Sequence, residues 1–114
     1  MDRSKVPYAN AQRKAFVGTF QENQRTTFEY RLKQIDEELI HILLAADFQN
    51  MTFYAKENQV YFYSEYVGKN YETEAGELFS DESFRKLDSD LKSLLEPDSQ
   101  KRTWIPMKEV FHTD

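Results

Sequence analysis

A chain of 114 residues, 39% hydrophobic and 15% aromatic, is the size of one domain and apolar enough for a packed core. It has no cysteine, which excludes disulfides, Cys-based metal sites and Cys nucleophiles, and its formal charge of −5 suits a phosphate backbone poorly. No run of about 18 apolar residues is present to span a membrane. The N-terminus lacks the apolar core of a signal peptide, so a cytoplasmic protein is expected.

Residues 1–12 read as a flexible arm, since Pro7 and Asn10 disfavour regular structure. Residues 14–20 (KAFVGTF) form an apolar run read as a strand, in which Gly18 marks a close approach or a weak point. Asn23 is placed to cap the helix that follows. From about Gln24 or Thr26 to Ala46 one long helix is expected. Its apolar residues Phe28, Leu32, Ile35, Leu39, Ile42, Leu43 and Ala46 fall on one stripe. Asp36, Glu37 and Glu38 are read as part of its solvated face.

Residues 48–55 (FQNMTFYA) alternate, with Asn50, Thr52 and Tyr54 on one face and Met51, Phe53 and Ala55 on the other. After the turn at 56–59, residues 60–67 (VYFYSEYV) are aromatic and β-branched, which predicts an antiparallel hairpin. Residues 71–79 read as a short helix or ordered loop. Ser80 is a good N-cap for a second amphipathic helix carrying Phe84, Leu87, Leu91, Leu94 and Leu95, stopped by Pro97. Residues 103–112 (TWIPMKEVFH) read as a closing strand, in which Pro106 implies an edge or a bulge. The order strand–helix–strand–strand–helix–strand is the βαββαβ pattern of an α+β, ferredoxin-like sandwich. Small sheets of this kind pair, so a homodimer is expected.

The basic pairs Arg13-Lys14 and Lys101-Arg102 are short and lack the interleaved aromatics of a single-strand-binding face, so no nucleic-acid partner is expected. Neither a glycine-rich phosphate loop, a metal-spaced cluster nor a nucleophile elbow appears in the sequence.

Two segments carry a family resemblance. Arg13-Lys14-Ala15-Phe16-Val17 and the closing stretch Pro106-Met107-Lys108-Glu109-Val110-Phe111-His112-Thr113-Asp114 resemble the ends of L-rhamnose mutarotases. Ile35, Glu38, Leu39, Asn50 and Tyr54 fall where that family has similar residues, so the resemblance spans residues 13–114 as one rhamnose-mutarotase-like domain. It implies a dimeric α+β barrel with exchanged C-terminal strands. It also implies interconversion of the anomers of a deoxy sugar, without metal or cofactor, by a base and an acid. The small-molecule partner it implies is a monosaccharide.

The resemblance also shows where this chain departs. The family's helix histidine falls at Leu32, the tyrosine one turn earlier at Phe28, the second-strand tyrosine at Met51, and a tryptophan pair at about Leu87 and Asp88. Leucine, phenylalanine and methionine exchange no protons and bond no sugar hydroxyl. The activity expected is therefore at most anomer exchange with replaced catalytic residues. The alternative is a non-catalytic ligand-binding or interaction dimer. A third reading, kinship with cofactor-free oxygenases and haem-degrading proteins, rests on fold analogy alone.

Tyr54 and His112 remain as candidate proton-transfer residues. His112 has a suitable titration range, and its plainer role is a strand residue at a dimer seam. Tyr54, like Tyr61, Tyr63 and Tyr66, is also an ordinary strand aromatic. His41 is read as solvent-facing, and Trp104 and Met107 as interface packing.

Overall fold

The computed structural model describes residues 11–113. The arm assigned to residues 1–12 lies outside them up to residue 10, and Gln12 already opens the first strand. In chain order the elements are β1 (Gln12–Phe20), α1 (Arg25–Leu32), α2 (Glu37–Ala45), β2 (Phe48–Lys56) and β3 (Gln59–Tyr66). They continue with α3 (Tyr71–Ser80), α4 (Glu82–Lys92), β4 (Leu95–Glu96) and β5 (Ile105–Pro106). The sheet order is β2-β3-β1-β4, all antiparallel, and β5 pairs with the same edge of β1 as β4. This is the expected α+β, ferredoxin-like fold.

The long helix is in fact two. Beyond Leu32 the chain tightens into a turn, with Gln34 N–H bonding the carbonyl of Arg31 and Ile35 N–H that of Leu32. Asp36 is then extended, and its carboxylate accepts from Leu39 N–H at 3.0 Å. An Asp cap followed by Glu37 and Glu38 in the first turn is a strong helix start, so the acidic run begins α2 rather than decorating a continuous helix. The apolar stripe nonetheless survives the break and splits between two core clusters. Phe28 and Leu32 pack with Phe20, Val60, Leu91 and Leu95; Leu39 and Leu43 pack with Phe48, Tyr66 and Leu78.

The hairpin forms as expected, with Tyr54 opposite Tyr61 and Phe53 opposite Phe62. Its register slips between Gln49 and Thr52, where Asn50 takes φ 53°. Residues 71–80 are helical, with Asn70 capping through Thr73 N–H at 3.2 Å. The cap of α4 is Asp81, not Ser80, bonding Phe84 N–H at 2.9 Å. Asn23 does not cap α1; it lies in the preceding turn at φ 64°, and Gln24 is the N-cap.

The closing strand is shorter than read. Leu95 leaves α4 to pair with Phe20, and after a polar loop only Ile105 and Pro106 rejoin β1, followed by one bond from Met107 N–H to Ala15 O. Pro106 has no N–H to give the ladder, and residues 107–113 are exposed. Gly18 is a close approach: a Cβ there would lie 3.0 Å from Leu95 Cδ1 and 3.3 Å from Trp104 Cζ3.

Candidate functional site

The break between α1 and α2 opens a pocket between the sheet and the helices, about 720 Å3 in volume. Leu32 and Ile35 border it at the break, Leu43 and Leu44 on α2, Leu87 and Asp88 on α4, and Met51, Phe53, Phe62 and Trp104 on the sheet side. A second chamber of about 570 Å3 adjoins it, sharing Leu43, Met51, Phe62, Phe84, Asp88 and Trp104 and reaching Lys14 and Ser64. Volumes of this order suit a small molecule.

Four of the five positions singled out by the resemblance, Leu32, Met51, Leu87 and Asp88, line this one pocket. Phe28 lies beneath it, fully buried, its ring edge-on to Phe20 at 5.3 Å, Phe53 at 6.1 Å and Trp104 at 6.3 Å. Asp88 is ion-paired to Lys92 Nζ at 3.0 Å, one turn on. Trp104 differs from its reading as interface packing: it turns inward, 6.3 Å from Phe53 and 6.0 Å from Phe62. Gly18 makes room for it.

Tyr54 and His112 are elsewhere. Strand residues alternate in face, and Phe53 and Phe62 point to the helices, so Tyr54 and Tyr61 point away. With Tyr63, Met107 and His112 they line an open depression of about 610 Å3 on the outer face of the sheet. The two candidates therefore share a site, but the sheet separates it from the interlayer pocket. His41 is exposed on α2, as read.

Two polar clusters were not foreseen. Glu65, fully buried in the run VYFYSEYV, accepts from Gln49 Nε2 at 3.0 Å, Asn50 Nδ2 at 2.7 Å and the Tyr63 hydroxyl at 2.8 Å. A buried carboxylate demands such partners, and the Asn50 bulge lets two adjacent amides reach it. One residue on, at the C-terminal end of β3 and on the opposite face, the Tyr66 hydroxyl donates to Glu74 and accepts from Asn70 N–H at 2.9 Å. Burial, and then the bond to Glu74, pushes the Tyr66 pKa up to about 12. Asp47 bonds the same Glu74. That bond, with burial and the Glu74 charge, raises the Asp47 pKa, while the bonds from Asp47 and Tyr66 lower that of Glu74. Of the two carboxyls, Asp47 is therefore the one that takes up a proton more readily. Gly68 leaves it space, since a Cβ there would fall against Glu74, the Tyr66 hydroxyl and Asp47. Nothing in the spacing of Asp47 and Glu74 announces the pair, because a β-hairpin separates them in the chain.

Among the described residues no group of three or more His, Asp or Glu side chains is placed to hold a metal ion, and no helix is long and apolar enough to cross a membrane.

The fold has known counterparts. An L-rhamnose mutarotase from Formosa agariphila superposes with a TM-score of 0.68 at 19% identity, over 90% of this chain and 99% of that one. A dimeric ferredoxin-like protein from an uncultured marine organism matches with a TM-score of 0.63 at 17% identity, over 99% and 97%. A NIPSNAP family protein from Agrobacterium tumefaciens matches at 0.58 and 11%, over 81% and 82%. No family model and no curated protein matches the chain. Likeness at these identities is one of scaffold, and function must be argued from the site.

Proposed function

We propose that this chain is a homodimeric small-molecule-binding protein that holds an apolar-bodied ligand between its sheet and helices and does not interconvert sugar anomers. The observation that carries the reading is the pocket wall. Leu32, Met51, Leu87, Phe53, Phe62 and Trp104 make up most of the wall, its polar members are already engaged (Gln49 and Asn50 by Glu65, Thr52 by the Asn50 carbonyl, Asp88 by Lys92), and neither of the chain's two histidines lines it. Burying a sugar hydroxyl there without a partner costs about 1–3 kcal/mol. Anomer exchange needs a base and an acid at the ring, and the Asp88 carboxylate on this wall is engaged by Lys92.

A second reading keeps mutarotase-type chemistry on a deoxy sugar or related ligand. It is favoured by that same carboxylate, set at the position where the family resemblance implies a tryptophan, and by the shared fold. The dimer is supported by the open outer face of the sheet and by the exposed Val110 and Phe111 at the C-terminus.

Saturation-transfer NMR on L-rhamnose and L-fucose tests the reading. No protein-dependent anomer exchange is expected, whereas 1-decanol should perturb the emission of Trp104, the single tryptophan. Exchange on either sugar would overturn the proposal in favour of the second reading.

A further inference from the structure

We propose that the chamber beside Lys14 binds the carboxylate of an amphipathic acid, whose apolar body extends into the interlayer pocket along Met51, Phe62 and Trp104. This rests on the apolar-ligand reading above and adds the head group. Lys14 is out of character for its place. It sits on the inner face of β1, in alternation with Phe16, Gly18 and Phe20, where a ferredoxin-like sheet buries apolar residues. It is half-buried, and its Nζ lies 4.3 Å from the centroid of the Tyr71 ring. No carboxylate of the described residues lies within ion-pair distance of it, whereas Lys92 is paired with Asp88 and Arg102 with Asp98.

Directly across the ladder from Lys14 stands Ser64, buried and lining the same chamber. An ammonium and a hydroxyl side by side offer donors to the two oxygens of a carboxylate. The surrounding charge agrees. Lys14, Lys92, Lys101 and Arg102 line the chamber, and Asp88 is the one acid among the described residues that does, in a chain with 15 Lys and Arg against 20 Asp and Glu. A local positive field of this kind draws in an anion despite the negative whole. The head is singly charged: Arg102 is held by Asp98 at 3.0 Å and Lys92 by Asp88, and Lys101 is exposed at the chamber's rim, which leaves Lys14, among the described residues, as the one unpaired, half-buried cation on the wall to meet a buried charge. Beyond the head, the wall turns apolar through Phe16, Phe62, Met51 and Trp104.

The test titrates the full chain with decanoate and with 1-decanol, reading Trp104 fluorescence, in the parent and in Lys14→Gln. Decanoate is expected to bind at least about tenfold more tightly than decanol. Lys14→Gln should erase that advantage and leave decanol affinity unchanged. Equal affinity of the two ligands for the parent protein would overturn the carboxylate site and leave the apolar pocket standing; binding of neither would overturn both. A readout independent of any variant comes from nuclear Overhauser contacts. The methylene next to the carboxylate should contact the Tyr71 ring and the terminal methyl the Trp104 indole, and the reverse pattern would overturn the assignment.

Discussion

Arg13 and Glu109, 96 residues apart, form a two-point ion pair, with Nε 2.5 Å from Oε1 and Nη2 3.2 Å from Oε2. The pair joins the two end segments and holds an otherwise irregular C-terminus against β1.

Arg13 keeps the Glu109 carboxyl below its ordinary pKa. A lowered carboxyl pKa stabilises the folded arrangement above the ordinary value, and the effect is lost as pH falls through the lowered one. Glu109→Gln is therefore expected to speed amide exchange in residues 107–113 at neutral pH while β3 stays protected. In the parent the same loosening should appear only on acidification. Unchanged exchange in the variant would show that the ion pair does not hold the segment.

The Asp47–Glu74 pair predicts the opposite pH response at Asp47. Its folded pKa is raised above the ordinary 3.8, so its contribution is full at low pH and is lost as pH rises through the raised value. Glu74, lowered, contributes above its ordinary value and loses that contribution on acidification. Asp47→Asn keeps a donor to Glu74 and removes the second charge. Thermal melts across this range should show the parent losing more stability than the variant as pH climbs above the ordinary carboxylate range. Parallel curves would show that the Glu74 charge does not act on Asp47.

Much of the fold was legible because its signals are local. The stripe from Phe28 to Ala46, the alternation of residues 48–55 and the aromatic run at 60–67 each specify a period and a buried face. The break at Asp36 was also written in the sequence, as an Asp cap followed by two acids, but the unbroken apolar stripe masked it. Trp104 was misplaced because its neighbours Phe28, Phe53 and Phe62 come from three distant elements, and only Gly18 hinted at the room it occupies. The clusters at Glu65 and at Asp47–Glu74 depend on a bulge and a helix end meeting a strand, which no linear spacing records. Four positions named through the family resemblance fall on the interlayer pocket. Composition alone could not separate its apolar wall from the core.

Gly18 gives a packing test of that pocket. In Gly18→Ala the new methyl meets Leu95, Thr103 O and Trp104, none of them farther than 3.3 Å. Overpacking of this kind costs about 1–3 kcal/mol. The urea midpoint should fall, and Trp104 emission should shift as the indole is displaced toward the cavity. An unchanged midpoint and spectrum would mean that the close approach is relaxed at no cost.

Restoring a tyrosine at position 28, where the resemblance implies one, should not restore a site. Phe28 is 0% exposed and ringed by Phe20, Phe53 and Trp104. A hydroxyl added there is buried among rings, at a cost of about 1–3 kcal/mol if unsatisfied. Phe28→Tyr is expected to lower stability by that amount and to leave anomer exchange absent. A fully stable variant would reveal a hidden polar partner and reopen the sugar-binding reading.

The outer face supplies the last test. Val110 and Phe111 are 88% and 80% exposed, beside a sheet face lined by Tyr54, Tyr61 and Tyr63. Two copies related by a two-fold axis can cover both features at once, each C-terminus lying on the other's sheet. Light scattering coupled to size-exclusion chromatography should then report twice the 13.6 kDa chain mass. The double variant Val110→Ser, Phe111→Ser should shift the protein toward the monomer, with each protomer's interlayer pocket and Trp104 emission retained. A monomeric parent protein would remove the dimer from the proposal and leave the outer face to a different partner. A dimer untouched by the double variant would place the contact on the sheet itself, and Tyr54 and Tyr61 would be the side chains to replace next.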